Sequence, residues 1–186
     1  VQDVELDTVM VDSNDDHCNG TGCSKDAIYF EDSTNIKLGA VNANSQFGNG
    51  FYSYRGDGYL SLIDSVFDDN IRGNGVLVMS HDGPVYLDGV SASDNKKMGA
   101  YIANQKGVTI VDSDFNKNEG EFGLKVDAET IGISDTHVDD NTYNGAELYA
   151  YQWIQILTSS FSGAEKGGGL NALSDTDYIL IDGLTA

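Results

Sequence analysis

The sequence predicts an all-β solenoid, a single column in which short parallel strands wind in successive coils around one elongated core. A glycine opens a similar apolar segment about every 24 residues, and each such segment alternates apolar and outward positions with a period of two. Most coils also carry an asparagine or glutamine at a matching position. Coils of so constant a length can bury their apolar faces only against their neighbours, which is the property of a solenoid.

The coil boundaries follow from the repeated glycines. The coils begin at Asp26, Gly50, Gly75, Gly99, Gly123, Gly145 and Gly169, with spacings of 24, 25, 24, 24, 22 and 24 residues. The first strand of each coil alternates as in Gly75-Val76-Leu77-Val78, where Val76 and Val78 are expected to point inward. We therefore predict about seven to eight coils of 22–25 residues, with three short strands in each.

The second and third segments complete each coil. The inward pairs of the second strand are Ile36/Leu38, Leu60/Leu62, Val85/Leu87, Val108/Ile110, Ile131/Ile133, Ile154/Ile156 and Ile179/Ile181. The third segment carries Val41/Ala43, Ser65/Phe67, Val90/Ala92, Ser113/Phe115, Thr136/Val138 and Ser159/Phe161. Its three phenylalanines are predicted to stack inside the column at alternate coils.

One column of amide side chains is predicted at the last turn of each coil. Its members are Asn14, Gln46, Asn70, Asn95, Asn118 and Asn141. At a strand spacing of about 4.8 Å such side chains can hydrogen-bond to one another and to turn backbone that would otherwise be unpaired.

These features resemble the right-handed parallel β-helix of the pectate-lyase-like superfamily, and the resemblance covers the whole chain. Crossovers between parallel strands are overwhelmingly right-handed, which agrees with that fold. Phe67-Asp68-Asp69-Asn70 and Phe115-Asn116-Lys117-Asn118 look like the FxxN element of polymorphic outer-membrane and autotransporter passenger repeats, and Gly168-Gly169-Leu170 is weakly similar to their GGA element.

The chain is expected to form a single domain over residues 1–186. Val4 and Leu6 already occupy second-strand positions and Ala186 falls in an unfinished coil, so we expect a segment of a larger protein. Ten basic against thirty acidic residues give a net charge of −20, which disfavours nucleic acid and anionic membranes as partners. No run of about 18 apolar residues is present, so no membrane insertion is expected.

One loop combines carboxylates with the two cysteines. Cys18 and Cys23 are expected to form a disulfide, which would place the protein in an oxidising, extracytoplasmic location; a zinc site is the rival interpretation, but only His17 lies nearby. The candidate calcium ligands are Asp12, Asp15 and Asp16, although an EF-hand is excluded because His17 and Cys23 replace its glycine and glutamate. A merely solubilising acidic surface is the other explanation of the charge.

A stripe of outward aromatic residues is the candidate binding surface. The predicted outward pairs of the first strand are Ile28/Phe30, Tyr52/Tyr54, Leu77/Met79, Tyr101/Ala103, Lys125/Asp127, Glu147/Tyr149 and Asn171/Leu173. The candidate ligand-binding residues are Tyr52, Tyr54, Tyr101, Tyr149 and Tyr151. A sugar-stacking groove, a protein interface and a surface covered by the rest of the chain all explain such a stripe.

Catalytic residues are less evident. In β-helix lyases and epimerases a base removes a proton beside a uronate carboxylate, and Tyr54, Arg55, His81 and Asp82 could supply such a set; Lys106 and Glu129 also flank the stripe. None of them lies in a motif of pectate lyases, polygalacturonases or alginate epimerases. Ordinary solvated turn residues are the simpler interpretation, so no catalytic residue is assigned.

We therefore expect an extracellular or cell-surface β-helix module, similar to an adhesin or stalk, whose aromatic face binds a polysaccharide or a protein surface. The alternative is a polysaccharide lyase or epimerase that acts on an acidic polysaccharide. Neither interpretation requires a cofactor, and calcium is the one candidate.

Overall fold

The computed structural model describes residues 2–10 and 26–185, and their regular secondary structure consists of β-strands. The thirteen strands are β1 (Gln2–Asp7), β2 (Ile28–Glu31), β3 (Thr34–Gly39), β4 (Phe51–Tyr54), β5 (Asp57–Ile63), β6 (Val76–His81), β7 (Val85–Asp88), β8 (Ala100–Asn104), β9 (Gly107–Val111), β10 (Phe122–Ser134), β11 (Asn144–Leu157), β12 (Leu170–Ser174) and β13 (Ile179–Asp182).

The strands stack into two parallel ladders, which confirms the predicted solenoid. The first ladder runs through β2, β4, β6, β8, the first halves of β10 and β11, and β12. The second ladder runs through β1, β3, β5, β7, β9, the second halves of β10 and β11, and β13. Seven strands in the first ladder enclose six complete turns, slightly fewer than the coil count expected.

The third segment of each coil is shorter than a strand. It joins its neighbours through single parallel bridges, which run through Met10, Asn42, Val66, Ser91, Asp114, His137, Ser160 and Thr185. The three-sided coil is thus present, with two ladders and one column of bridges.

Two coils lack the turn between their first and second segments. β10 and β11 continue through this corner as single bent strands of 13 and 14 residues. A bulge at the corner shifts their mutual register between Ala128 and Thr130. The preceding coils turn there through Asp82, Gly83 and Pro84 and through Gln105 and Lys106, so the corner changes shape along the column.

The core alternates large and small side chains at the third segment, as predicted. Phe67, Phe115 and Phe161 are fully buried. Their neighbours in the intervening coils, Ala43, Ala92 and Val138, are also buried. This alternation lets each ring use space that a smaller side chain leaves in the adjacent coil.

From Gln46 to Asn141 the predicted asparagine column is a buried hydrogen-bonded ladder, and Asn14 lies outside the described residues. The backbone N–H of Asn70 donates to Asn95 Oδ1 (3.0 Å), that of Asn95 to Asn118 Oδ1 (2.9 Å) and that of Asn118 to Asn141 Oδ1 (2.8 Å). Asn70 Nδ2 also donates to Asn95 Oδ1 at 2.7 Å. Each oxygen therefore satisfies a turn amide of the preceding coil, which burial would otherwise leave unpaired.

Two further side-chain ladders were not predicted. Asp26 Oδ1 accepts from the backbone N–H of Asn49, and Asn49 Oδ1 from that of Asn74. The other ladder passes from coil to coil through Asn44, Asp68, Ser93, Asn116, Asp139 and Ser162. Each turn amide in these columns thus finds its acceptor in a neighbouring coil.

Two columns of left-handed residues explain part of the acidic composition. The turn after the second strand has positive φ at Thr8, Ala40, Asp64, Gly89, Asp112, Asp135, Thr158 and Gly183. The turn after the third segment has positive φ at Ser45, Asp69, Asp94, Lys117, Asp140 and Gly163. Aspartate tolerates this conformation better than most residues, so several carboxylates serve the turns.

The repeated glycines sit where coils approach closely. A Cβ at Gly75 would lie 2.6 Å from Ala92 Cβ and 2.8 Å from the carbonyl oxygens of Gly99 and Phe67. Two of these three atoms are backbone, so they cannot move aside cheaply. A Cβ at Gly132, by contrast, would meet nothing within 4 Å.

We expect Phe115→Ala to lower the free energy of unfolding by about 3–5 kcal/mol, because a fully buried ring leaves a cavity. The matched control is Tyr59→Ala, which truncates a ring that is 45% exposed and is expected to change stability by about 0.5 kcal/mol. Urea unfolding measures both values. Equal effects of the two substitutions would contradict the inward assignment of Phe115.

The glycine repeat gives a second matched pair. We expect Gly75→Ala to cost about 1–3 kcal/mol of stability through overpacking. Gly132→Ala adds the same methyl group in open space and is expected to cause no loss. The difference between the melting temperatures of the two variants tests whether the repeated glycines are needed because the coils approach closely. Similar melting temperatures would refute this explanation.

Candidate functional site

Strand register places the outward residues of the first ladder in two straight columns. The first column contains Tyr29, Tyr52, Leu77, Tyr101, Lys125, Glu147 and Asn171. The second column contains Glu31, Tyr54, Met79, Ala103, Asp127, Tyr149 and Leu173. The outward columns are therefore continuous from coil to coil, and the predicted outward residues match them in every coil except the first.

The first coil was predicted one residue out of register. Ile28 pairs with the buried Phe51, and Phe30 pairs with the buried Ser53, so these two side chains face inward. The outward residues are Tyr29 and Glu31. A slip of one residue exchanges the two faces of a strand. The prediction was wrong because it began this coil at Asp26, whereas Ala27 is the residue that aligns with Gly50.

The amino-terminal end of the stripe is an aromatic and ionic cluster. The ring centroids of Tyr29 and Tyr52 are 5.2 Å apart, and those of Tyr52 and Tyr54 are 6.3 Å apart. Arg55 Cζ lies 4.8 Å from the Tyr54 centroid, and Arg55 Nη2 contacts Glu31 Oε1 at 2.6 Å and Asp32 Oδ2 at 3.0 Å. The one cation of this cluster is thus held by two carboxylates.

His81, one of the four candidate catalytic residues, lies inside the column. Its Nε2 is 3.1 Å from the carbonyl oxygen of Gly58, its Nδ1 has no partner among the described residues, and its side chain is fully buried. Asp82 is exposed, and Tyr54 and Arg55 face outward in the preceding coil. The structure therefore does not gather these four candidate side chains around one open space, and no catalytic role is assigned to them.

Burial lowers the pKa of His81 below its ordinary value of 6.5. The unfolded chain then binds a proton at this imidazole more readily than the folded chain, so His81 reduces stability as the pH falls through about 6.5.

We expect the native protein to lose more free energy of unfolding between about pH 7 and pH 5 than the His81→Gln variant does. His137→Gln, which removes an exposed histidine, is the control. Equal losses in the native protein and His81→Gln would contradict this account.

A groove of about 570 Å³ opens where the corner turn disappears. It is lined by Ser80, Ala103, Asn104, Gln105, Lys106, Asp127, Ala128, Glu129, Tyr149 and Tyr151. The ends of β6 and β8 and the turn at Gln105 and Lys106 meet the bent strands β10 and β11 here. Two of the five predicted ligand-binding tyrosines, Tyr149 and Tyr151, line this groove. Tyr101 lies beside it in the first column, and Tyr52 and Tyr54 lie in an earlier coil.

The acidic groups of the groove are partly satisfied by the protein. Burial raises the pKa of Asp127, while the neighbouring Lys125 and a hydrogen bond from Tyr101 oppose the increase. Gln152 Nε2 donates to Glu129 Oε1 at 2.7 Å. The Tyr149 hydroxyl donates to the Asp175 carboxylate, which raises the pKa of this tyrosine.

The cations around the groove differ in their pairing. Lys125 Nζ lies 2.6 Å from Glu147 Oε1 and 5.8 Å from the Tyr101 centroid, so it belongs to the first column. Lys106 is exposed on the rim and makes no ion pair with the described residues. The groove thus presents two carboxylates and one free ammonium group.

Several features of the groove were missed from the sequence. Asn104 lines it with only 8% of its surface exposed, and its Nδ2 donates to the carbonyl oxygen of Gly107 at 3.2 Å. Two residues beyond Tyr151 in β11, Trp153 stacks on Tyr178 with centroids 6.3 Å apart and an interplanar angle of 8°. The sequence offered one indication of the groove. The coil that begins at Gly123 is the shortest, with 22 residues, and this coil lacks the corner turn.

The predicted calcium ligands Asp12, Asp15 and Asp16 and the predicted disulfide between Cys18 and Cys23 lie outside the described residues. Within residues 2–10 and 26–185, no group of three or more His, Cys, Asp or Glu side chains has a geometry that could hold a metal ion. In the same part of the chain, no helix has the length and apolar character needed to cross a membrane.

Comparison with known proteins agrees with the stacked parallel coils. A family model described as the right-handed β-helix region matches residues 9–183. The chain belongs to the right-handed β-helix family. No curated protein and no solved structure gives a significant match to this β-helix.

Proposed function

We propose that this β-helix is a glycan-binding module of an extracellular or cell-surface protein, and that it binds sugar in the groove at the turnless corner. The observation that carries the proposal is the convergence of Tyr149 and Tyr151 with Asp127, Glu129 and Lys106 around one open space. A concave site with aromatic surface and a few convergent polar groups is typical of small-ligand recognition.

The chemistry of the lining suits sugars. Tyr151 is 57% exposed, so its ring face is available to pack on the C–H groups of a pyranose. The carboxylates of Asp127 and Glu129 retain acceptor capacity for hydroxyl groups, because each accepts only one hydrogen bond from the described protein. The residues are held by strands, which lowers the cost of ordering the site.

The stripe offers a path for a longer chain. Neighbouring coils lie about 4.8 Å apart, so a polymer that leaves the groove along the first column would meet Tyr101 and then Tyr52 within a few sugar units.

The predicted cysteine pair supports the extracellular part of the proposal. Alkylation of the intact protein without reductant tests it, because two modified thiols would contradict a disulfide and this location.

A glycan screen followed by tyrosine substitution tests the binding proposal. We expect Tyr151→Ala to weaken binding of a retained glycan by about 1–2 kcal/mol, the scale of one lost anchor, without changing the melting temperature. Tyr101→Ala and Tyr52→Ala are expected to weaken binding of longer oligomers similarly. Tyr59→Ala removes an exposed ring from the second ladder and serves as the control.

Two results would contradict the proposal. Unchanged glycan affinity in all three tyrosine variants would show that the stripe does not bind the glycan. If the variants bind glycan normally or not at all but differ from the native protein in self-association or in binding a partner protein, the stripe is a protein interface.

A second candidate is a polysaccharide lyase or epimerase, which the proximity of Asp127, Tyr149 and Lys106 in the groove favours. A carboxylate base, a phenol acid and a cation that neutralises a uronate are the groups that proton abstraction beside a carboxylate needs. Incubation with acidic polysaccharides, with and without calcium, tests it. An increase in ultraviolet absorbance indicates a lyase and a change in the NMR spectrum of the polymer an epimerase; binding without either change supports the module.

A further inference from the structure

The charges of the groove restrict which sugar fits there. Asp127 and Glu129 are part of the lining, and the hydroxyl of Tyr149, which also lines the groove, donates a hydrogen bond to the Asp175 carboxylate. Lys106 is the one cation of the lining. The groove is therefore net negative, in a chain whose formal charge is −20, and a uronate carboxylate would be repelled by most of its surroundings.

The spacing of the two carboxylates suits a small cation. Asp127 and Glu129 flank the buried Ala128 where β10 bends at the corner bulge, and both residues line the groove. Because the strand bends here, the Cα atoms of the two residues are at most roughly 6–7 Å apart, which is the spacing of alternate residues in an extended strand. An ammonium group that donates to two carboxylates at about 2.8 Å spans nearly that distance.

Neither carboxylate has a full counter-charge from the protein. The charge of Lys125 also acts on Asp127, but its ammonium group is paired with Glu147 at 2.6 Å. Gln152 and Tyr101 give one hydrogen bond each to Glu129 and Asp127, and both donors are uncharged. Partly buried carboxylates that accept only neutral donors favour a ligand that brings its own positive charge.

We propose that the groove selects an amine-bearing sugar, a hexosamine with a free amino group, whose ammonium lies between the carboxylates of Asp127 and Glu129. The pyranose ring then packs against Tyr151. This inference rests on the proposed glycan-binding function and specifies the chemical class of the glycan, which is basic rather than uronic.

Calorimetric titration with three tetrasaccharides tests the inference. The probes are a glucosamine tetramer, its N-acetylated counterpart and a galacturonate tetramer, at about 0.15 M salt to screen long-range attraction. We expect the glucosamine tetramer to bind about tenfold or more tightly than either of the others, because one charge-assisted hydrogen bond is worth at least that factor. The double variant Asp127→Asn/Glu129→Gln is expected to lose this preference and to keep the melting temperature.

A matched variant controls for general attraction to an acidic protein. Asp94→Asn/Asp112→Asn removes the same two charges from exposed left-handed turn positions, where asparagine is well tolerated. We expect it to change the affinity for the glucosamine tetramer less than about twofold. A loss equal to that of the groove variant would mean non-specific attraction and would overturn the inference.

The remaining outcomes separate the inference from the function on which it rests. Equal binding of the glucosamine and N-acetylated tetramers would overturn the inference and leave the glycan-binding module standing. Tighter binding of galacturonate that Lys106→Gln abolishes would overturn it in favour of the acidic-polysaccharide candidate. Failure of all three tetramers, together with an empty glycan screen, would overturn both proposals.

Discussion

Buried turn amides are the constraint on which this structure depends. Parallel stacking pairs the backbone of the two strand ladders, but it leaves N–H groups in the turns without strand partners. The asparagine side chains at Asn95, Asn118 and Asn141 supply the missing acceptors, each across one coil boundary. Because each bond joins equivalent residues of adjacent coils, the ladder fixes the register of the strands as well as satisfying the turns.

Fixed register has a direct consequence for the outer surface. Once equivalent residues stack, the residues at any outward position form a straight column. Tyr29, Tyr52 and Tyr101 therefore align because of the strand register. Function can then be built by changing one corner. The loss of the turn in β10 and β11 bends two strands near Lys106 and forms the groove, while the asparagine ladder at another corner still extends to Asn141 in the coil of β10.

The fold could be predicted because one signal repeats through the chain. Alternation, glycine spacing and the asparagine column each identify the same coil, and so Phe67, Phe115 and Phe161 were placed correctly. The third segment was overestimated as a strand, since its inward pairs resemble those of a strand although only single bridges form. The additional ladders use aspartate and serine as well as asparagine, and mixed residue types conceal a column in the sequence.

The site was less predictable, because it depends on local breaks in the pattern. His81 would face outward if the alternation of Val76, Leu77 and Val78 continued. Ser80 instead adopts a φ of 55°, and the register shifts between Met79 and His81, which turns the imidazole into the core. Similarly, the outward tyrosines were evident, but the groove needs Asn104 and Gln152, whose positions follow from the shape of the corner.

Amide hydrogen exchange tests the central claim most directly. The backbone N–H groups of Asn70, Asn95 and Asn118 lie in turns, yet each donates to a buried side-chain oxygen of the next coil. If the ladder holds the coils in register, these amides should exchange only through global unfolding, as slowly as those of buried strand residues such as Ile110. Exchange as fast as that of exposed turn residues would show that the ladder is not a fixed part of the column and would contradict the account.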